Sequence, residues 1–129
     1  MFSRFSPAAL RVLRLAEQEC RNHNHYYVGV EHMLFALIEE HDADVEAALR
    51  EEKISYGEVY SELKQALGTG EDRVWEGILI TPRVRNIVRA AETRANDRDV
   101  EPIHLYRAIR DEGGGSAADL LARLAGAAG

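Results

Sequence analysis

The sequence predicts an all-α protein made of two pseudo-symmetric copies of one helical unit, about seven helices in all. Three observations predict it. First, Phe5-Ser6-Pro7 and Ile80-Thr81-Pro82 open two stretches that match at an offset of 75, with Arg14, Ala16 and Glu17 meeting Arg89, Ala91 and Glu92. Self-similarity at a fixed spacing marks a repeated structural unit. Second, apolar residues behind each opening recur at helical spacing: Ala9, Val12, Leu13, Ala16 and Cys20 in one copy, Val84, Ile87, Val88, Ala91 and Ala95 in the other. Third, the composition suits helices, with 46% apolar and 29% charged residues but only 7% aromatics and three prolines.

The elements follow in order. Ser6 and Thr81 each cap a helix, and the proline behind each takes the first helical position, where a missing N–H costs nothing. The next segment of each copy matches at an offset of 72, so three residues are missing from the second connection. Val28, His32, Met33, Ala36, Leu37 and Glu40 meet Val100, His104, Leu105, Ala108, Ile109 and Glu112. These are short helices over about 30–40 and 102–112, the second starting at Pro102. A third helix in each copy carries Val45, Ala48 and Leu49 behind Asp42 or Asp44, and Ala117, Leu120, Leu121 and Leu124 behind Ser116 as cap, after the break at Gly113-Gly114-Gly115. Ser55-Tyr56-Gly57-Glu58 announces a fourth helix over about 55–67, ended by Gly68. No counterpart follows in the second copy. The chain of 129 residues therefore reads as one domain: repeat one about 5–67, a linker about 68–80 with Trp75 and Ile78 tucked against the bundle, and repeat two about 81–126 with a frayed Ala/Gly tail.

Charge narrows the function classes. A net charge of −6 argues against broad nucleic-acid binding. Residues 39–52 hold seven acids and one arginine, whereas residues 82–98 hold five arginines and two acids. These are solvated helix faces or a polarised surface that steers a charged partner. No apolar run reaches membrane-spanning length, Met1-Phe2-Ser3-Arg4 does not resemble a signal peptide so none is expected, and the single cysteine, Cys20, sits on an apolar stripe. A cytoplasmic, reducing setting is expected.

Enzymatic signatures are missing. There is no phosphate-binding Gly-x-x-x-x-Gly-Lys-Ser/Thr loop and no Gly-x-Ser-x-Gly elbow, so no nucleotide hydrolysis and no cofactor are expected. His23, His25, Glu31 and His32 are metal-ligand types, but their spacing is not His-Glu-x-x-His. They carry the alternative of a small metal-dependent enzyme. His32 and His104, at equivalent places in the two copies, read instead as a duplicated structural hydrogen bond, and no metal site is assigned.

Tyr27-Val28-Gly29-Val30-Glu31-His32-Met33-Leu34 resembles the Tyr-Val/Ile-Gly-Thr-Glu-His-Leu-Leu signature of the Clp N-terminal domain, which stands in front of the ATPase rings of ClpA- and ClpC-type unfoldases. The Ser-Pro and Thr-Pro openings match that family's repeat starts, and Met1-Phe2-Ser3-Arg4-Phe5 looks like the start of ClpC proteins. The resemblance covers nearly the whole chain. It implies two pseudo-symmetric four-helix repeats, here lacking the last helix, and a non-enzymatic role in docking client peptides and adaptors for Clp ATPase or protease components. It also implies a phosphoarginine-binding site, shared between a cap hydroxyl and the signature glutamate. Carried over, those positions are Ser6 and Glu31, with Thr81 in the second repeat, where Ile103 replaces the glutamate. If that function is kept in this chain, only the first site, Ser6 with Glu31, is expected to carry it, and the reading of these residues as structural caps is preferred. Read from the residues alone, Ser6 and Thr81 are helix caps and Glu31 is an acid favoured at a helix start. A monomer is expected, with weak self-association at the open edge of repeat two as the alternative. A free-standing interaction or accessory protein with a rewritten surface is the competing reading.

Overall fold

A computed structural model describes residues 2–23, 25, 27–68, 79–112 and 115–128. Trp75, Ile78 and the first two glycines of the 113–115 run lie outside these residues. Seven helices are present among them: α1 (Pro7–Asn22), α2 (Val30–Glu39), α3 (Ala43–Glu51), α4 (Tyr56–Leu67), α5 (Pro82–Ala95), α6 (Pro102–Glu112) and α7 (Ser116–Ala128). Two short strands, β1 (Tyr27–Val28) and β2 (Leu79–Ile80), complete the fold.

The caps are chemically what the sequence predicts. Ser6 Oγ accepts from Ala9 N–H at 3.1 Å and Thr81 Oγ1 accepts from Val84 N–H at 3.2 Å. Asp42 caps α3 through Asp44 and Val45, and Ser55 caps α4 through Glu58. Both predicted apolar stripes are buried, from Ala9 to Cys20 on α1 and from Val84 to Ala95 on α5. Ser116 departs from expectation. It is the first residue of α7 rather than its cap, because Asp119 N–H closes the first turn on Gly115 O. Gly115 takes a left-handed backbone (φ 84°), and a Cβ there would stand 3.3 Å from Arg83 Nε, so glycine suits both the turn and the contact. The predicted frayed tail is helical to Ala128.

The two repeats are joined by crossed parallel bridges that the sequence did not announce. Val28 of β1 lies opposite Ile80 of β2, and Phe5 bridges Val100. Ile80 is the repeat-two counterpart of Phe5, and Val100 is that of Val28. The segment leading into the first helix of each repeat therefore pairs with the turn before the second helix of the other repeat. Ser6 N–H donates to Val100 O (2.9 Å), Val100 N–H to Arg4 O (2.8 Å), and Thr81 N–H to Val28 O (3.2 Å). Arg4 adds a further cross-repeat tie. Its Nη2 donates to Asn96 O and, at 2.7 Å, to Arg98 O, beyond the last turn of α5. A cation there meets the negative end of the α5 dipole.

The core centres on α2, where Val30 and every residue from His32 to Ile38 are buried. A helix apolar all round belongs in the middle of a bundle. It touches α1, α3, α4, α5, α6 and α7. His32, 3% exposed, is one of two buried polar residues among those described; the other is Ser6, at 5%. Its Nδ1 accepts from Gly29 N–H at 2.9 Å, and His104 Nδ1 accepts from Glu101 N–H at the same distance. The duplicated histidine is thus a helix-start device, taking up an N–H that the helix cannot satisfy itself.

Two outcomes test this packing. Leu37→Ala, at a site with no exposed surface, is expected to lower stability by about 2–5 kcal/mol, read as a lower urea midpoint at unchanged slope. The second concerns pH. Burial, reinforced by His25 and only partly offset by Glu31, pushes His32 down to about 4. The unfolded state binds the proton more readily, so this stability is full above about pH 6.5 and falls as pH drops to about 4, by up to about 3 kcal/mol. His32→Asn, which keeps a cap acceptor, is expected to flatten that dependence in urea titrations at pH 7 and 4.5.

Candidate functional site

The crossed bridges decide which sequence-predicted residues meet. Ser6 lies at the start of α1, and because its N–H is bonded to Val100 it faces the α5–α6 turn of repeat two. There it opens onto a cleft of about 550 Å³, also lined by Pro7, Arg11, Arg98, Asp99, Glu101 and His104. The lining carries both signs of charge. Arg11 Nε pairs with Glu40 Oε1 at 2.7 Å at the rim. The His104 imidazole is held below its usual pKa by burial and by Arg98, so it is neutral at neutral pH. The start of α1 contributes the positive end of its dipole to the same space.

Glu31 does not line this cleft. Its Oε1 accepts from Ser116 Oγ at the start of α7, and its Oε2 lies 3.1 Å from where a Cβ on Gly29 would stand. The missing side chain at Gly29 gives the carboxylate room to fold back. Thr81 belongs to this second place, since its N–H is bonded to Val28, just before the turn that carries Glu31. Arg83, one helical step on, lies against Gly115 beside Ser116. The cap hydroxyl of each repeat is set against the other repeat's turn, so Ser6 and Glu31 stand at different places in the fold. Ser6 stands with Asp99 and Glu101, whereas Thr81 is the cap next to the Glu31 turn. Ile103, the counterpart of Glu31, is partly buried against the core.

Asp99, Glu101, Arg98 and His104 are thus cleft residues that sequence reasoning passed over. The offset shows which positions are equivalent but not that the copies exchange partners. The one available signal was an apolar residue before each cap and before each turn, Phe5, Ile80, Val28 and Val100, and runs so short specify no strand by pattern alone.

The histidines raised as metal ligands are occupied otherwise. His32 Nδ1 accepts from Gly29, which puts its proton on Nε2, and Nε2–H donates to His25 Nδ1 at 2.6 Å. His23 Nε2 lies 3.4 Å from Glu19, and its ring stacks on His25 at 5.9 Å. Among the described residues no three His, Cys, Asp or Glu side chains converge as a metal site would need. The Cys20 thiol is buried, close to the carbonyls of His25 and Tyr27 (3.1 and 3.2 Å), and burial pushes it up to about 11. A thiol that stays protonated is no nucleophile.

Comparison with known proteins places this architecture. The family described as the Clp repeat (R) N-terminal domain matches residues 4–100. The chain is 31% identical over 127 residues to the chloroplastic chaperone protein ClpC of Pisum sativum, covering 96% of this chain and 14% of that protein. The chain thus spans about one seventh of that relative. Among solved structures, the N-terminal domain of the caseinolytic protease associated chaperone ClpD from Arabidopsis thaliana shares the fold with a TM-score of 0.66 and 20% identity, over 99% of this chain and 94% of that one. A chain from structural investigations of a malarial protein secretion system shares it with a TM-score of 0.76 and 14% identity, over 95% and 85%. Two helical repeats latched by crossed bridges, a duplicated histidine cap and the matched residues together make this chain a member of the Clp repeat N-terminal domain family.

Proposed function

We propose that the chain is a non-enzymatic protein-binding module that receives client or adaptor polypeptides on behalf of Clp ATPase or protease components. The observation that carries this reading is the Ser6 cleft. It is an open concavity at a helix start, built from both repeats, and lined by cations and carboxylates at close quarters. Such a lining suits a ligand with both charges, and a phosphoarginine side chain is one. Its phosphoryl group would meet the start of α1 and Arg11 or Arg98, and its guanidinium would meet Glu101 or Asp99. The carboxylate that reads the guanidinium is then Glu101 rather than Glu31. Thr81 and Glu31 form a second, more crowded place closed over by the start of α7, and we assign it the weaker binding.

A monomer suits the surface. At the edge of α3 and α6 the cleft is small, about 190 Å³, and lined by Glu51, Glu52, Arg107, Arg110 and Asp111. Arg110 Nη2 pairs with Glu52 Oε1 at 2.9 Å there. That lining offers little apolar area to a second copy, which disfavours the reading of a self-associating structural protein. No described helix is long and apolar enough to cross a membrane. A reducing compartment, the cytoplasm in this reading, suits the buried free thiol of Cys20.

The test is a calorimetric titration with a phosphoarginine peptide and its unmodified arginine counterpart. Glu101→Gln is expected to weaken binding of the modified peptide about tenfold or more, as loss of a charge-assisted pair does, while Glu31→Ala leaves it within about twofold. Equal affinity for the two peptides would remove the phosphoarginine assignment. A loss on Glu31→Ala but not on Glu101→Gln would return the site to the Thr81 side.

A further inference from the structure

A different concavity lies on the acidic side of repeat one. It measures about 490 Å³ and is lined by Leu15 of α1, Glu39 at the end of α2, His41, and Tyr56, Gly57 and Tyr60 of the first turns of α4. We propose that this cleft docks an arginine side chain from a basic polypeptide segment, with its guanidinium on the Glu39 carboxylate and its stem along the Tyr56–Tyr60 row.

The aromatic groups form a continuous row. His41 stacks on Tyr56 (centroids 5.0 Å apart, planes 21° apart), and Tyr56 continues to Tyr60 (6.1 Å, 21°). Rings 6.1 Å apart are not in full face contact, so each leaves ring surface to the cleft. Phe35, buried in α2, supports Tyr60 from the core side at 5.0 Å. His41 is fixed at the end of α2 in a left-handed backbone (φ 56°), with Nδ1 2.8 Å from Glu46 and Nε2 3.2 Å from the Tyr56 hydroxyl. The row already attracts one cation: the Lys64 ammonium stands 5.6 Å from the Tyr60 ring centre.

The charges define the occupant. Glu40 pairs with Arg11, and Glu46 lies 2.8 Å from His41 Nδ1. Glu39, partly buried between them, has no ion-pair partner among the described residues. Its carboxyl is held above its usual range by burial and by Glu19, which Lys64 offsets only in part. A cation entering from outside would supply what this carboxylate lacks. The surrounding run of seven acids in residues 39–52 adds attraction at longer range. Arginine fits better than lysine because a planar guanidinium can lie on a ring while its edge meets a carboxylate, whereas an ammonium holds its hydration more tightly.

The proposal stands apart from the Ser6 cleft, which shares no residue with this one. It is tested by titrating isotopically labelled protein with the peptide acetyl-Gly-Arg-Gly-Arg-Gly-amide and its lysine and citrulline versions, following amide shifts by NMR. The expected result is shifts centred on Glu39, His41, Gly57 and Tyr60, weaker binding of the lysine peptide, and none of the citrulline one. Glu39→Gln and Tyr56→Leu are each expected to weaken binding about tenfold at unchanged helicity, and Asp97→Asn, away from the cleft, to leave it within about twofold. Equal loss with Glu39→Gln and Asp97→Asn, or shifts spread over the acidic surface, would reduce the effect to net charge and overturn the proposal. Shifts confined to the Ser6 cleft would overturn it too. So would absence of peptide binding together with Glu39-dependent self-association in sedimentation, which would make a second copy the occupant.

Discussion

The crossed main-chain pairing between the repeats is the constraint on which the rest of this structure depends. It involves few hydrogen bonds, from Ser6 to Val100, from Val100 to Arg4 and from Thr81 to Val28. These bonds sit at the points where each first helix begins. A helix start presents unsatisfied N–H groups and the positive end of a dipole, so wherever it is pinned becomes an attractive place for anionic groups. Pinning each start against the turn of the other repeat sets two such places across the repeat interface. Each one draws its cap hydroxyl from one repeat and its acidic turn from the other.

The two places have diverged in what covers them. Around Ser6 the space is open, and the charged groups of the α5–α6 turn line it. Around Thr81 the start of α7 leans in, with Ser116 on the Glu31 carboxylate and Arg83 against Gly115. The interiors have diverged as well. Helix α2 is buried on all sides because α4 and α7 cover it in addition to the other helices. Among the described residues its counterpart α6 has no second cover at the equivalent edge and carries Arg107, Arg110 and Asp111 there, with Tyr106 buried and its hydroxyl 3.5 Å from Glu52. An exposed edge must be soluble, and ion pairs supply that at little cost in stability.

Buried polar groups show the same economy. His32 is deep enough that a charge on it is unfavourable, yet both ring nitrogens are used, one by Gly29 N–H and the other toward His25. Among the described residues no buried side-chain nitrogen or oxygen lacks a partner. A neutral histidine there completes a helix start that a hydrophobic residue would leave unsatisfied.

Much of the fold was legible in the residues. Ser-Pro and Thr-Pro openings, stripes stepping by three and four, and a shared offset determine the helices, their caps and their buried faces, because these are local effects of backbone geometry and of which side chains water excludes. The histidine pair was legible for the same reason, being a contact within three residues. What only the tertiary structure decided is which distant segments meet. Duplication tells that Ser6 resembles Thr81, but an offset is equally consistent with each cap serving its own repeat or its neighbour's. The crossing of Phe5 to Val100 and of Ile80 to Val28 chose between them, and with it placed Ser6 in a cleft that Glu101 also lines, with Glu31 elsewhere. The same holds for the Tyr56–Tyr60 cleft, whose lining comes from α1, the end of α2 and α4, residues that chain spacing keeps apart and only packing brings together.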